Sequence, residues 1–190
     1  GNRTSQTDKN GGVTNYYFDE ADRLIQVRDA ASGTVSYTYD CMGQVTLVTD
    51  QLSRQRARAY DQAGRVLKET DALGHSVSYT YDDAGNLLTR TDEDGNITSY
   101  TYDAENRLLS IQTDAGTTSF TYDRLGRILS VTDTEGYTES AQYDSDDNLT
   151  GSSDQEGRET VYAYDSMGRI SEETLPNGGK TTYSYDKNGN

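Results

Sequence analysis

The pentapeptides DEDGN at residues 92–96 and DSDDN at 144–148 crowd carboxylates and an amide together, the oxygen-rich composition from which calcium loops are made. Neither runs on into the spaced ligands and closing glutamate of an EF-hand, and no glycine-rich nonapeptide repeat follows. Sequence alone leaves open weak calcium binding at Asp92 and Asp94 or at Asp144 and Asp146. Paired carboxylates also serve glycoside hydrolysis, where two acids flank the scissile bond. Here aspartates recur along the whole chain and no segment is distinguished by its acids, which argues against a single catalytic centre. The one cysteine, Cys41, and the one histidine, His75, lack evident partners for a nucleophile and its base, and together cannot complete a Cys/His zinc site. The expectation is a non-enzyme with no catalytic residue, no cofactor and no resident metal.

The aspartates are better explained by what positions them. Aromatic-Asp pairs fall at Phe18-Asp19, Tyr39-Asp40, Tyr60-Asp61, Tyr81-Asp82, Tyr102-Asp103, Tyr122-Asp123, Tyr143-Asp144, Tyr164-Asp165 and Tyr185-Asp186. Successive pairs are 21 residues apart, except for one interval of 20 between Tyr102 and Tyr122. A fixed period of this length is the mark of a repeat architecture. The unit reads Y-x-Y-D-x-x-G-R/N-L, a few mixed residues, then T-D-x-x-G and a polar stretch leading to the next Y-x-Y-D.

Each D-x-x-G suits a type I turn, with the Asp side chain capping backbone N–H groups and the glycine left-handed. Where the first turn lacks glycine, the chain places Asp22, Asn106 or Asp147, types that tolerate positive φ. In the second turn Ser32 and Ser53 depart from the pattern, the former followed by Gly33, and the contraction within residues 111–120 predicts a tighter loop. Two turns per unit leave room for two strands of about six residues. The fold class is therefore all-β: a continuous antiparallel meander of two-strand repeats, curling as a spiral sheet, an open barrel or a solenoid-like segment.

Side-chain alternation agrees. Each second aromatic shares a face with the residue two before it, Tyr16, Tyr37, Arg58, Tyr79, Tyr100, Phe120, Ala141, Tyr162 or Tyr183. The following strand supplies Leu24, Val45, Val66, Leu87, Leu108, Ile128, Leu149 and Ile170. Sixteen tyrosines against two phenylalanines indicate a face that is covered yet wet, because a covered ring contributes apolar area while its hydroxyl needs a partner. Only 32% of residues are apolar, too few for a thick core, whereas the wealth of Tyr, Thr and Val with a single proline argues against disorder. No run of about 18 apolar residues is present, so no membrane-spanning helix is expected.

The net charge of −15 follows from the same grammar, since 17 of the 32 acidic residues open turns and the other 15 face 17 lysines and arginines. Arg23, Arg65, Arg107, Arg127 and Arg169 recur just after the first turn and are expected to pair with rim aspartates, contributing little per exposed pair. The acidity disfavours nucleic acid as a partner. The tyrosine ladder leaves glycan binding as an alternative, although tryptophan, the usual sugar-stacking residue, is absent.

The stretch YDQAGRVLKETDALGHSVSYTYDDAGNLLTRTDEDGN, residues 60–96, resembles the YD repeats of Rhs (rearrangement hotspot) proteins, wall-associated bacterial proteins, C components of insecticidal toxin complexes and teneurins. The resemblance covers essentially the whole chain, read as one array of about nine repeats over residues 1–190. It implies a spiralling β-sheet shell segment of a large secreted or bacterial cell-surface protein, enclosing or presenting a toxin or effector domain that this chain lacks. The proline-containing core motif with its autocleaving aspartates is not found; the single proline, Pro176, falls in the turn LPNG. Gly1-Asn2 and Gly189-Asn190 stand at one point of the template, which reads as a segment of a longer array. The expected partners are neighbouring repeats and an enclosed toxin domain, with edge-mediated self-association open.

Overall fold

The structure, a computed structural model, describes residues 1–186 and 189; Asn190, the end of the second Gly-Asn pair, lies outside the described residues. Among the described residues every regular element is a β-strand. The chain divides into two compact units, Gly1–Ile97 and Thr98–Asn190. The first holds β1 (Ser5–Thr7), β2 (Val13–Phe18), β3 (Leu24–Arg28), β4 (Thr34–Tyr39), β5 (Val45–Thr49), β6 (Gln55–Tyr60), β7 (Val66–Thr70), β8 (Ser76–Tyr81) and β9 (Leu87–Thr91). The second holds β10 (Ile97–Tyr102), β11 (Leu108–Thr113), β12 (Gly116–Tyr122), β13 (Ile128–Thr132), β14 (Thr138–Tyr143), β15 (Leu149–Ser153), β16 (Glu159–Tyr164), β17 (Ile170–Thr174) and β18 (Lys180–Thr182). Within each unit every strand pairs antiparallel with its sequence neighbours, giving an open meander as the two-turn grammar predicts.

The D-x-x-G units form three-residue hairpin loops. The Gly43 N–H donates to the Asp40 carbonyl at 3.2 Å and the Asp40 N–H to the Gln44 carbonyl at 3.0 Å, closing a type I turn that ends in a left-handed residue. Gly43 has φ +86°, and the replacements Asp22 (+61°), Asn106 (+63°) and Asp147 (+67°) take the same conformation. Ser32 (+69°) and Ser53 (+60°) do so as well, so the turn register holds there and the following Gly33 does not carry the reversal. The contraction is real: Thr113 pairs with Gly116, leaving Asp114 and Ala115 as a two-residue loop. Asp114 therefore sits inside the reversal and does not open it. Gly116 (φ +136°) is required here, because a Cβ would also lie 3.0 Å from the Thr134 carbonyl oxygen.

Each unit consequently has two rims, one made of Y-D turns and the other of T-D turns. The Y-D hairpins from Phe18 to Tyr164 each end in a register shift: Thr38 faces Leu47 but Tyr39 faces Val45, and the extra residue twists the strand. The aromatic row lies on one face, with Tyr37 opposite Val48, Tyr100 opposite Ile111 and Phe120 opposite Val131. Among the described residues no hydrophobic side chain is fully buried. Each unit is thus a thin ribbon whose cohesion comes from cross-strand pairs between neighbouring strands.

Candidate functional sites: the inter-repeat clasp and the His75 groove

The smallest functional element is the capped turn. Asp61 Oδ1 accepts the N–H groups of Ala63 and Arg65, both at 2.9 Å, while Oδ2 accepts Arg65 Nε at 2.6 Å. The same set recurs at Asp19, Asp103, Asp123 and Asp165 with Arg23, Arg107, Arg127 and Arg169. These bonds favour the ionised form. The Arg65 N–H, then the Arg65 side chain, hold Asp61 below the ordinary carboxylate range. At Asp144 the Asn148 side chain has the leading part, and at Asp103 burial pushes upward but the Arg107 contacts outweigh it.

On the Y-D rim the arginine reaches further. Arg65 Nη1 donates to the Asp82 carbonyl at 2.8 Å, and its guanidinium lies 4.8 Å from the centre of the Tyr81 ring. Arg23 over Tyr39, Arg107 over Tyr122, Arg127 over Tyr143 and Arg169 over Tyr185 repeat the stack at 4.9, 5.0, 4.7 and 4.3 Å. The tyrosine hydroxyl completes the clasp. Tyr81 donates to the Val66 carbonyl at 3.0 Å, and Tyr39, Tyr122, Tyr164 and Tyr185 donate to Leu24, Leu108, Leu149 and Ile170. The β7–β8 ladder stops at Lys68–Ser78, so the Val66 carbonyl lies beyond the strand pairing and the phenol takes it. Tyrosine is selected over phenylalanine here because its hydroxyl closes a backbone gap, which refines the wet-face expectation. The clasp itself joins groups up to 17 residues apart, and sequence reading found only its local half, the Arg-Asp pair.

Asp92 and Asp144, the leading residues of the two calcium-like loops, are engaged in the same way. Asp92 Oδ1 accepts the N–H groups of Asp94 and Asn96 at 3.0 and 2.9 Å, and Oδ2 accepts Asn96 Nδ2 at 3.0 Å. Asp144 binds Asp146 and Asn148 equivalently. A calcium ion at either loop would compete with these contacts, while Asp94 and Asp146 point outward and exposed. Cys41 is exposed on its turn.

The ladder breaks in the first unit at Arg58, which replaces a tyrosine, faces Glu69 across the sheet and binds it at 2.7 Å. Beside this pair a groove of about 430 Å³ runs past Val48, Val77, Asp71, His75 and Glu93. His75 Nδ1 lies 3.3 Å from Asp71 Oδ2 and 3.6 Å from Glu93 Oε2. Glu93, 18 residues from His75, was invisible in the sequence because only the pairing of β8 with β7 and β9 brings consecutive T-D turns side by side.

These features define each unit as an open, single-layer β-repeat ribbon. The RHS Repeat profile matches residues 1–34, 18–55, 60–97, 81–118, 102–138 and 143–180, and the chain belongs to that family. No curated protein sequence matches. Among solved structures, the Tc holotoxin pore of Photorhabdus luminescens with a mutated TccC3 component is similar, with a TM-score of 0.53 and 17% identity over 94% of this chain and 12% of that one. A TcdB2-TccC3 crystal structure is similar with a TM-score of 0.54 and 17% identity, over 94% of this chain and 13% of that one. At this identity the likeness is one of fold, and the chain spans about an eighth of the length of those relatives.

Proposed function

We propose that residues 1–190 are one array of about nine YD repeats serving as a wall segment of a large secreted or surface RHS-repeat protein that encloses or presents a toxin or effector domain. The observation that carries this is the Arg-Tyr-carbonyl clasp, because a device repeated along the ribbon serves the ribbon as a whole and no single place on it. The TccC3-containing fold relatives support the toxin-associated setting. On this reading the segment performs no turnover, and its partners are the adjoining repeats and the enclosed domain.

The test replaces Tyr79 and Tyr81 with alanine. A wall segment loses unfolding free energy and shows no glycan-dependent tyrosine fluorescence before or after the change. Saturable fluorescence changes with a glycan, abolished by the double replacement, would instead establish an adhesive module. Against that alternative stands the clasp, which covers the Tyr81 ring with Arg65 and occupies its hydroxyl with a carbonyl. In the parent protein, limited proteolysis should leave any enclosed domain intact until the repeats are cut.

A further inference from the structure

We propose that Asp71, His75 and Glu93 form a binding site for one divalent transition-metal ion of the zinc class, joining two consecutive T-D turns of the first unit. One oxygen of each carboxylate and a ring nitrogen of His75 lie within 4.8 Å of one another. Zinc bonds of about 2.0–2.1 Å in a tetrahedron require ligand atoms roughly 3.3 Å apart. The His75 Nδ1 distances of 3.3 Å to Asp71 Oδ2 and 3.6 Å to Glu93 Oε2 match that edge, and rotation of the exposed Glu93 side chain closes the remaining gap. Three protein ligands of mixed nitrogen and oxygen type leave a fourth position for water.

The residue at the His75 position varies from turn to turn along this rim. At three equivalent turns the residue after the left-handed position donates from its side chain to its own aspartate, Arg54 Nε to Asp50, Asn96 Nδ2 to Asp92 and Arg158 Nε to Asp154, at 2.7, 3.0 and 2.7 Å, whereas Gly12, Gly33 and Tyr137 give Asp8, Asp29 and Asp133 their backbone N–H. His75 keeps the contact with its own aspartate, Nδ1 lying 3.3 Å from Asp71 Oδ2, but makes it with a ring nitrogen that can also ligate a metal. Glu93 comes from the next T-D turn, so the site draws two carboxylates from different turns toward one nitrogen. Two such carboxylates repel each other, and a cation between them turns the repulsion into attraction. The site lies in the groove wall beside Arg58 and Glu69, where the tyrosine ladder is interrupted.

His75 is the single histidine of the chain, so its imidazole gives one set of ring proton signals in an NMR spectrum. Titration of the 190-residue chain with Zn²⁺ should shift those signals saturably at one equivalent. Co²⁺ should give the visible absorption of a tetrahedral site, and Zn²⁺ should raise the unfolding midpoint. The variants His75→Asn and Glu93→Gln should each weaken Zn²⁺ binding at least tenfold. His75→Asn retains the turn, since Asn96 caps the equivalent aspartate, and circular dichroism of each variant checks the fold. No saturable shift of His75 at millimolar Zn²⁺ would overturn the site, leaving an ordinary contact between a histidine and two carboxylates. Undiminished binding in His75→Asn would overturn it too, by placing the metal on other acidic turns.

Discussion

The Y-D rim and the T-D rim are built from the same capped hairpin, yet only the first is locked repeat to repeat by a recurring device. On the Y-D rim Arg107 and Asp103 are 28% and 15% exposed, and the arginine also holds a carbonyl and a ring of the next repeat. On the T-D rim Arg54 and Asp50 are 60% and 34% exposed, and among the described residues the Arg54 side chain bonds to Asp50 alone. Ties between T-D turns do occur, as when Gln51 donates to Asp29 at 2.7 Å or His75 meets Glu93, but each has its own chemistry. One rim therefore maintains the ribbon and the other is free to vary, and it is on the variable rim that the repeat lost a residue, at Thr113–Gly116.

Acid erases the contrast and has the largest expected effect. Asp61 and Asp103 on the Y-D rim and Asp50 and Asp154 on the T-D rim have folded-state pKa values below normal: at Asp61 the leading cause is the Arg65 N–H, and at Asp154 the Arg158 N–H. A depressed carboxylate adds stability above its unfolded value of about 3.9, and that stability is lost as pH falls through the lower folded value. The ribbon should hold from neutrality to about pH 4 and unfold below, as followed by circular dichroism. Next, Arg65→Ala should cost about 2–3 kcal/mol in urea unfolding, from the lost charged hydrogen bonds and the ring stack. Arg54→Ala should cost under about 0.5 kcal/mol. Equal losses would erase the distinction between the rims.

Tyr81→Phe removes only the bond to the Val66 carbonyl and should cost about 1–2 kcal/mol by the same measurement, with Tyr79→Phe clearly milder. The remaining expected effect is a gain. Gln44 occupies the clasp arginine position, reaches the Gly64 carbonyl at 3.1 Å and leaves its own Oε1 buried without a partner among the described residues. Gln44→Arg should supply the Asp40 ion pair and the Tyr60 stack, raising stability by about 1 kcal/mol.

Much of this was legible from spacing because turns impose local demands. An aspartate three residues ahead of a glycine, or of Asp22 or Asn106, fixes both the cap and the left-handed residue, and those demands stay within five residues of chain. The clasp was not legible. It depends on the one-residue register shift at Tyr81 and on a guanidinium crossing to the next hairpin, and neither leaves a mark beyond arginines and tyrosines that recur together. The Glu93–His75 approach was hidden for the same reason, since it exists only once consecutive T-D turns stand in line. A single unpatterned Glu in DEDGN looks like any charged turn residue.

The absence of fully buried apolar side chains among the described residues has a mechanical corollary. With no shared interior to rupture, a pulled ribbon should give way as a zip does, one hairpin pair after another at similar low force. Each step would free about 21 residues, on the order of 70 Å of extended chain.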